Sequence, residues 1–292
     1  MCTAGRGSML GATGALDVRR VLFVLMLVCA TAGDASAAAY DDFARGLAAN
    51  QRNDDDTAIA AFTAALGAPD LNPSYIPTAY RGRAVAQRDA GRCQPALDDI
   101  GRAIQLSPAD LELIVQRALV FECLGQLDKA QADYSTLIDA KFEVLAWRWR
   151  GMLRFCMADF AGAVSDFNAM IAAEPRDVWS MLWLFAAREH TGGADPAAVE
   201  KTMHDLDSDE WPMPLFKLYA GKSKPEAVAA AVLRLDAGEQ PNRQCEADFY
   251  AGEWQLARDP AAAKAMLIRA MQSCPRGYFE KDGARAELER LK

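Results

Sequence analysis

Two histidines in 292 residues, no glycine-rich phosphate loop, no Gly-x-Ser-x-Gly elbow and no Lys/Arg cluster leave few parts for an active site. The histidines, His190 and His204, have no second His or Cys at ligand spacing, and zinc needs such help from thiolates or carboxylates. His190 precedes Thr191-Gly192-Gly193 and is expected to cap a helix end, where free carbonyls meet a donor. Asp205, Asp207 and Asp209 alternate as in a calcium loop. However, Glu210 stands where glycine is needed and Phe216 where the bidentate Glu belongs, so they read as an ordinary acidic loop. Asp54-Asp55-Asp56 reads as solvated capping residues on a turn. No pair of carboxylates sits on a recognisable catalytic loop. No catalytic residue, metal site or cofactor is therefore expected. With a formal net charge of −8 and dispersed cations, the chain has no footprint for nucleic acid.

Long apolar runs are also missing. The longest, Val21 to Val28, follows Arg19-Arg20 and is too short to span a bilayer. Ala35-Ser36-Ala37 then fits the small-x-small cleavage preference, so residues 1–37 are expected to be a signal peptide and the protein to be exported, to a periplasm-like space. Gly5, Gly7 and Gly11 fall in this leader and mean nothing for the fold. Membrane association is not expected unless the leader stays uncleaved or Cys29 is lipidated; Val28 stands where a lipoprotein signal carries a small residue.

What the sequence has in abundance is alanine and an apolar fraction of 51%, while β-branched runs and Asn-Gly turns are scarce; this favours helices around a sizeable core. It also repeats. "TAYRGRAVAQRDAGRCQPALDDIGRAIQLSPAD" aligns with "LIVQRALVFECLGQLDKAQADYSTLIDAKFE" so that Gly91 matches Gly125, Ala96 matches Ala130 and Ile104 matches Ile138, each 34 residues apart. "LAWRWRGMLRFCMADFAGAVSDFNAMIAAEPRD" continues with Ala163, Phe167 and Pro175. An earlier copy supplies Gly46, Ala58, Phe62, Ala65 and Leu66.

These residues resemble the tetratricopeptide repeat, with small residues where two antiparallel helices approach, aromatics filling the holes, and Pro ending each second helix. The resemblance implies an all-α fold, a right-handed α-solenoid of helix-turn-helix repeats. Four regular repeats are expected over 38–177, then an atypical fifth repeat and irregular helical insert over 178–242. A carboxy-terminal repeat-like pair with a polar capping helix completes the chain over 243–292. Trp211, Pro212, Pro214, Leu215, Leu218, Tyr219 and Gly221, followed by Phe249, Tyr250 and Gly252, give a layout similar to the NlpI-like periplasmic lipoproteins. Members of that family act as scaffolds that dock envelope proteases or peptidoglycan hydrolases.

Carried over from that geometry, helix A residues form a concave groove for a protein or peptide client. They are Tyr40, Phe43 and Leu47, then Arg81, Val85 and Arg88, then Glu112, Val115, Leu119 and Glu122. Arg148, Met152 and Phe155 follow, then Trp179 and Leu182. Arg81, Arg88 and Arg148 would meet acidic groups. Trp147, Trp149 and Phe155 read equally as packing between repeats. Beyond the leader five cysteines remain, an odd number. Cys245 begins the first helix and Cys274 ends the second helix of the last pair, so a disulfide is expected there. Cys93 and Cys123 are placed to meet as well, which leaves Cys156 reduced. The function expected is that of a periplasmic binding scaffold. The alternatives are a self-assembling homodimeric envelope protein and, behind it, a cell-wall enzyme accessory.

Overall fold

The computed structural model describes residues 26–142, 144–193, 195–275 and 277–292, with side chains from residue 37. Most of the expected leader, including Arg19, Arg20 and the start of the apolar run, lies outside the described residues, as does the side chain of Cys29. The first described helix, α1 (Met26–Gln51), is continuous through Ala37. Among the described residues no helix is long and apolar enough to cross a membrane.

The described chain is all-helical. After α1 come α2 (Asp55–Gly67), α3 (Ile76–Asp89), α4 (Cys93–Leu106), α5 (Glu112–Cys123), α6 (Leu127–Asp139), α7 (Leu145–Cys156), α8 (Phe160–Ala173) and α9 (Val178–Glu189). Then follow α10 (Pro196–Leu206), α11 (Met213–Tyr219), α12 (Pro225–Val232), α13 (Gln240–Gln255), α14 (Pro260–Ser273) and α15 (Phe279–Arg290). Contacts divide the chain into two compact units, with the boundary between Ala90 and Gly91.

In the first unit α1 and α2 form an antiparallel hairpin and α3 packs on both. Asp54 starts α2 by accepting from the Thr57 N–H, one of the amides a helix start leaves unpaired. The ring of Phe62 on α2 lies between Gly46 of α1 and Gly82 of α3. A Cβ at Gly46 would come within 2.8 Å of that ring and one at Gly82 within 2.4 Å, so glycine is what lets both helices close on it.

The second unit repeats the device. Phe167 of α8 presses on Gly151 of α7, where a Cβ would stand 2.8 Å from the ring. Turns between paired helices pass through left-handed residues, supplied by Gly125 (φ 68°) in one repeat and by Ala158 (φ 62°) in the next. Ion pairs bind the two helices of a repeat: Arg117 on α5 holds Asp133 on α6, and Arg150 and Arg154 on α7 both hold Asp166 on α8. Pro108, Pro175 and Pro275 follow the ends of α4, α8 and α14, where a missing N–H costs nothing.

After α9 the chain stops stacking in sequence. Helices α10 to α12 carry it round, and α13 then packs against α9 while α15 packs against α7 and α13. Trp183, Phe185, Phe216, Phe249 and Tyr250 meet in the core this makes. Three of its aromatic side chains are hydrogen-bonded: the Tyr219 hydroxyl donates to the Tyr250 carbonyl at 2.9 Å, the Tyr250 hydroxyl to Glu280 at 3.0 Å, and the Trp211 ring N–H to Glu246 at 2.6 Å. The tryptophan and tyrosines of the two short motifs thus join the insert, α13 and α15. Cys245 and Cys274 form a disulfide with Cα atoms 4.8 Å apart, and Cys93 and Cys123 form another at 5.8 Å. Cys156 is the free thiol among the described residues, and burial pushes its pKa up to about 12.

Candidate binding surface

Helix A faces differ sharply in what they leave open. In the first unit, Tyr40 and Leu47 sit two turns apart on α1 and are 49% and 36% exposed. Phe43 between them is buried, stacked on Tyr75 with centroids 4.9 Å apart and edge-on to Phe62. Helix α3, which packs on α1, adds half-buried Arg81 and Val85. Arg88, at the last turn of α3, turns to Asp89 at 2.8 Å.

In the second unit the face is progressively taken up by the chain itself. On α5, Glu112 accepts from Gln116, Val115 is buried, Leu119 packs at the edge of the same cluster and Glu122 accepts from the Tyr134 hydroxyl. On α7, Arg148 donates to Ser180 at 3.2 Å and pairs with Asp177 at 2.9 Å, so its charge is satisfied within the fold. Met152, Phe155 and Leu182 are buried, and Trp179 packs half-buried against their cluster. Phe155 meets Trp183, Phe249 and His190 edge-on. The groove assignment is therefore corrected at Phe43, Val115, Met152, Phe155 and Leu182, which are core residues. Over α7 and α9 the reason is specific: α13 packs against α9 and α15 against α7.

This return also assembles polar groups that the sequence does not announce. His190 closes α9, its N–H bonded to the Ala187 carbonyl. Its ring lies flat on Phe160 at 3.8 Å and reaches Glu253 of α13 at 3.0 Å and Glu287 of α15 at 3.7 Å. Arg290 pairs with Glu287, lies over the rings of Phe155 and Phe160, and donates to the carbonyls of Phe155 and Cys156. Glu253 has no solvent exposure. Burial raises its pKa to about 7 despite the hydrogen bond from His190, and its Oε1 has no partner. Glu253 lies 63 residues from His190, so no local spacing could have marked the cluster. The Arg–Asp pairs of the repeats did leave a trace, since Arg117–Asp133 and Arg150–Asp166 recur at the same separation of 16.

The acidic loop after α10 is engaged internally. Lys201 holds Asp205, Lys217 holds Asp209 at 2.9 Å, and Asp207 ends the helix in a left-handed conformation.

No known protein-family profile matches the chain. A crystal structure of a tetratricopeptide repeat protein from Parabacteroides merdae superposes with a TM-score of 0.56 at 18% identity, over 86% of this chain and 98% of that one. Human tetratricopeptide repeat protein 13 is 29% identical over 142 residues, covering 47% of this chain but 16% of that protein. The Aspergillus fumigatus heat-shock cognate co-chaperone sgt12 is 35% identical over 81 residues, 27% of this chain and 24% of its own length. The chain thus matches a quarter or less of either relative. The fold is that of tetratricopeptide repeat proteins, a helical solenoid.

Proposed function

We propose that this tetratricopeptide-repeat chain is a non-catalytic scaffold of an oxidising, exported compartment that holds a protein or peptide client on the open helix A face of its first unit. One observation carries the reading. Tyr40 and Leu47 are exposed apolar side chains on one stripe of α1, beside a helix that offers Arg81, whereas the face of α7 and α9 is filled by the chain's own helices. An apolar stripe next to an arginine suits an amphipathic segment with acidic groups. The likeness to a protein named as a co-chaperone supports binding of another protein, and the two disulfides support an oxidising compartment. Recruitment of an envelope protease or hydrolase is the specific form that the NlpI-like layout favours.

The test is photo-crosslinking from position 47, with position 233 as reference because Leu233, just past α12, is 71% exposed. Adducts with a defined partner from position 47 alone, abolished by adding Arg81→Glu, support the reading. Equal adducts from both positions, or a partner set unchanged in Leu47→Asp/Arg81→Glu, overturn it.

A further inference from the structure

The end of α9 and helices α13 and α15 bring together, at one point of the second unit, a histidine and two carboxylates whose candidate donor atoms all lie within 4.8 Å of one another. We propose that His190, Glu253 and Glu287 form a binding site for a divalent transition-metal ion of the zinc type, which clips the end of α9 to α13 and α15.

The distances suit such an ion. Zinc bonds of about 2.0–2.1 Å at tetrahedral angles place neighbouring donor atoms roughly 3.3 Å apart. The separations from His190 Nε2, 3.0 Å to Glu253 and 3.7 Å to Glu287, lie on either side of that value. The carboxylate donors lie within 4.8 Å of each other, so bringing them to the same spacing asks for a closure of at most about 1.5 Å, within reach of two side chains on adjacent helices.

A second observation points the same way. Glu253 is wholly buried, and while Oε2 faces His190, Oε1 has no hydrogen-bond partner. Buried carboxylate oxygens are ordinarily satisfied, and a buried carboxylate with one orphan oxygen, next to an imidazole and a second carboxylate, is the residue type an ion uses. The surroundings hold the donors in place. Phe160 stacked on the imidazole fixes the ring plane, and Arg290 fixes Glu287 while anchored on the carbonyls at the end of α7. Supporting contacts of this kind orient the ligands of metal sites. Arg290 donates through both Nε and Nη2 to Glu287 Oε2, the oxygen nearer His190, so an ion would use the lone pairs of the carboxylate that the guanidinium does not take. The His190 side chain is 15% exposed, which leaves an entry from solvent and a fourth position for water. One imidazole and two carboxylates suit zinc and its first-row neighbours better than calcium, which takes six or more oxygens.

The experiment is titration of the chelator-stripped protein with Zn²⁺ by calorimetry, and with Co²⁺ by visible absorption. Expected are one equivalent of Zn²⁺ per chain, a Co²⁺ spectrum of low coordination number, and a higher Tm with zinc than without. His190→Gln and Glu253→Gln, each confirmed as folded by circular dichroism, should weaken binding about 100-fold and remove the Co²⁺ bands, with Glu287→Gln as a third variant should either fail to fold. His204→Gln, altering the exposed histidine on α10, should change nothing. Absence of saturable binding, binding that survives His190→Gln, or binding lost in His204→Gln overturns the proposal.

Discussion

At Glu246, burial and hydrogen bonding pull in opposite directions. Arg243 and the Trp211 ring N–H favour its carboxylate, yet desolvation outweighs them and lifts the pKa to about 7. An unfolded glutamate titrates near about 4.3, so the folded state binds this proton more tightly. The stability it contributes is complete below about pH 4.3 and is lost as the pH rises through about 7. For the wild type, urea midpoints measured from pH 5 to 8 should fall. In Glu246→Gln, whose amide oxygen still accepts from Trp211, the fall in unfolding free energy taken from those curves should be smaller by about 2–3 kcal/mol. A second residue-scale test is Ala158, held at φ 62° where a β-carbon crowds the backbone. Left-handed backbone costs an alanine about 1–2 kcal/mol, partly offset by the greater chain entropy of unfolded glycine. Ala158→Gly should therefore raise the unfolding free energy by about 0.5–1 kcal/mol, whereas an unchanged or lower value would show that the turn is not strained.

Between elements, burial separates the ion pairs that matter from those that do not. Asp166 is 3% exposed and receives both Arg150 and Arg154, tying α7 to α8. Removing it in Asp166→Ala strands two guanidinium groups in a desolvated seam, which should destabilise the protein by about 3 kcal/mol. The pair of Arg285 with Asp282 is as close, at 2.8 Å against 2.7 and 2.9 Å, but both side chains are half open to water, and Asp282→Ala should cost well under about 1 kcal/mol. Parallel denaturation curves of the two variants measure the contrast; equal losses would refute it. The Cys245–Cys274 disulfide joins the second turn of α13, which begins five residues before the cysteine, to the residue that caps α14, across 29 residues of sequence. By the entropic argument it contributes about 3–4 kcal/mol. Cys245→Ser/Cys274→Ser should lower the Tm accordingly, and mass-spectrometric mapping should find neither cysteine alkylated until reductant is added.

For the whole molecule, what could be read from the sequence follows the range of the contacts. Tetratricopeptide pairs are local: Gly46 with Phe62 and Gly151 with Phe167 recur in register, 16 residues apart in each case, because each repeat solves the same packing problem. The all-α solenoid fold was legible for that reason. The return of α13 and α15 onto α7 and α9 was not, because Arg290 meets the Cys156 carbonyl 134 residues away and nothing periodic encodes such a contact. Hence Met152 and Phe155, placed by repeat position in a groove, are core residues instead, and the histidine–carboxylate cluster escaped notice. This arrangement makes α15 a structural part of the second unit rather than a detachable cap. It buries Gly283 so closely that a Cβ there would lie 2.8 Å from the Phe249 ring and 2.9 Å from Trp183. It also covers Glu253 and Phe155, both without exposure. Ending the chain at Gly277 should therefore open an apolar cleft over α7 and α13, lower the Tm, and increase binding of an apolar dye. Gly283→Leu, which forces α15 off the core while keeping its length, should reproduce the dye binding. If the truncated protein instead melts at the wild-type temperature and binds no more dye, α15 does not close this face, and the groove regains the extent that repeat position alone assigns to it.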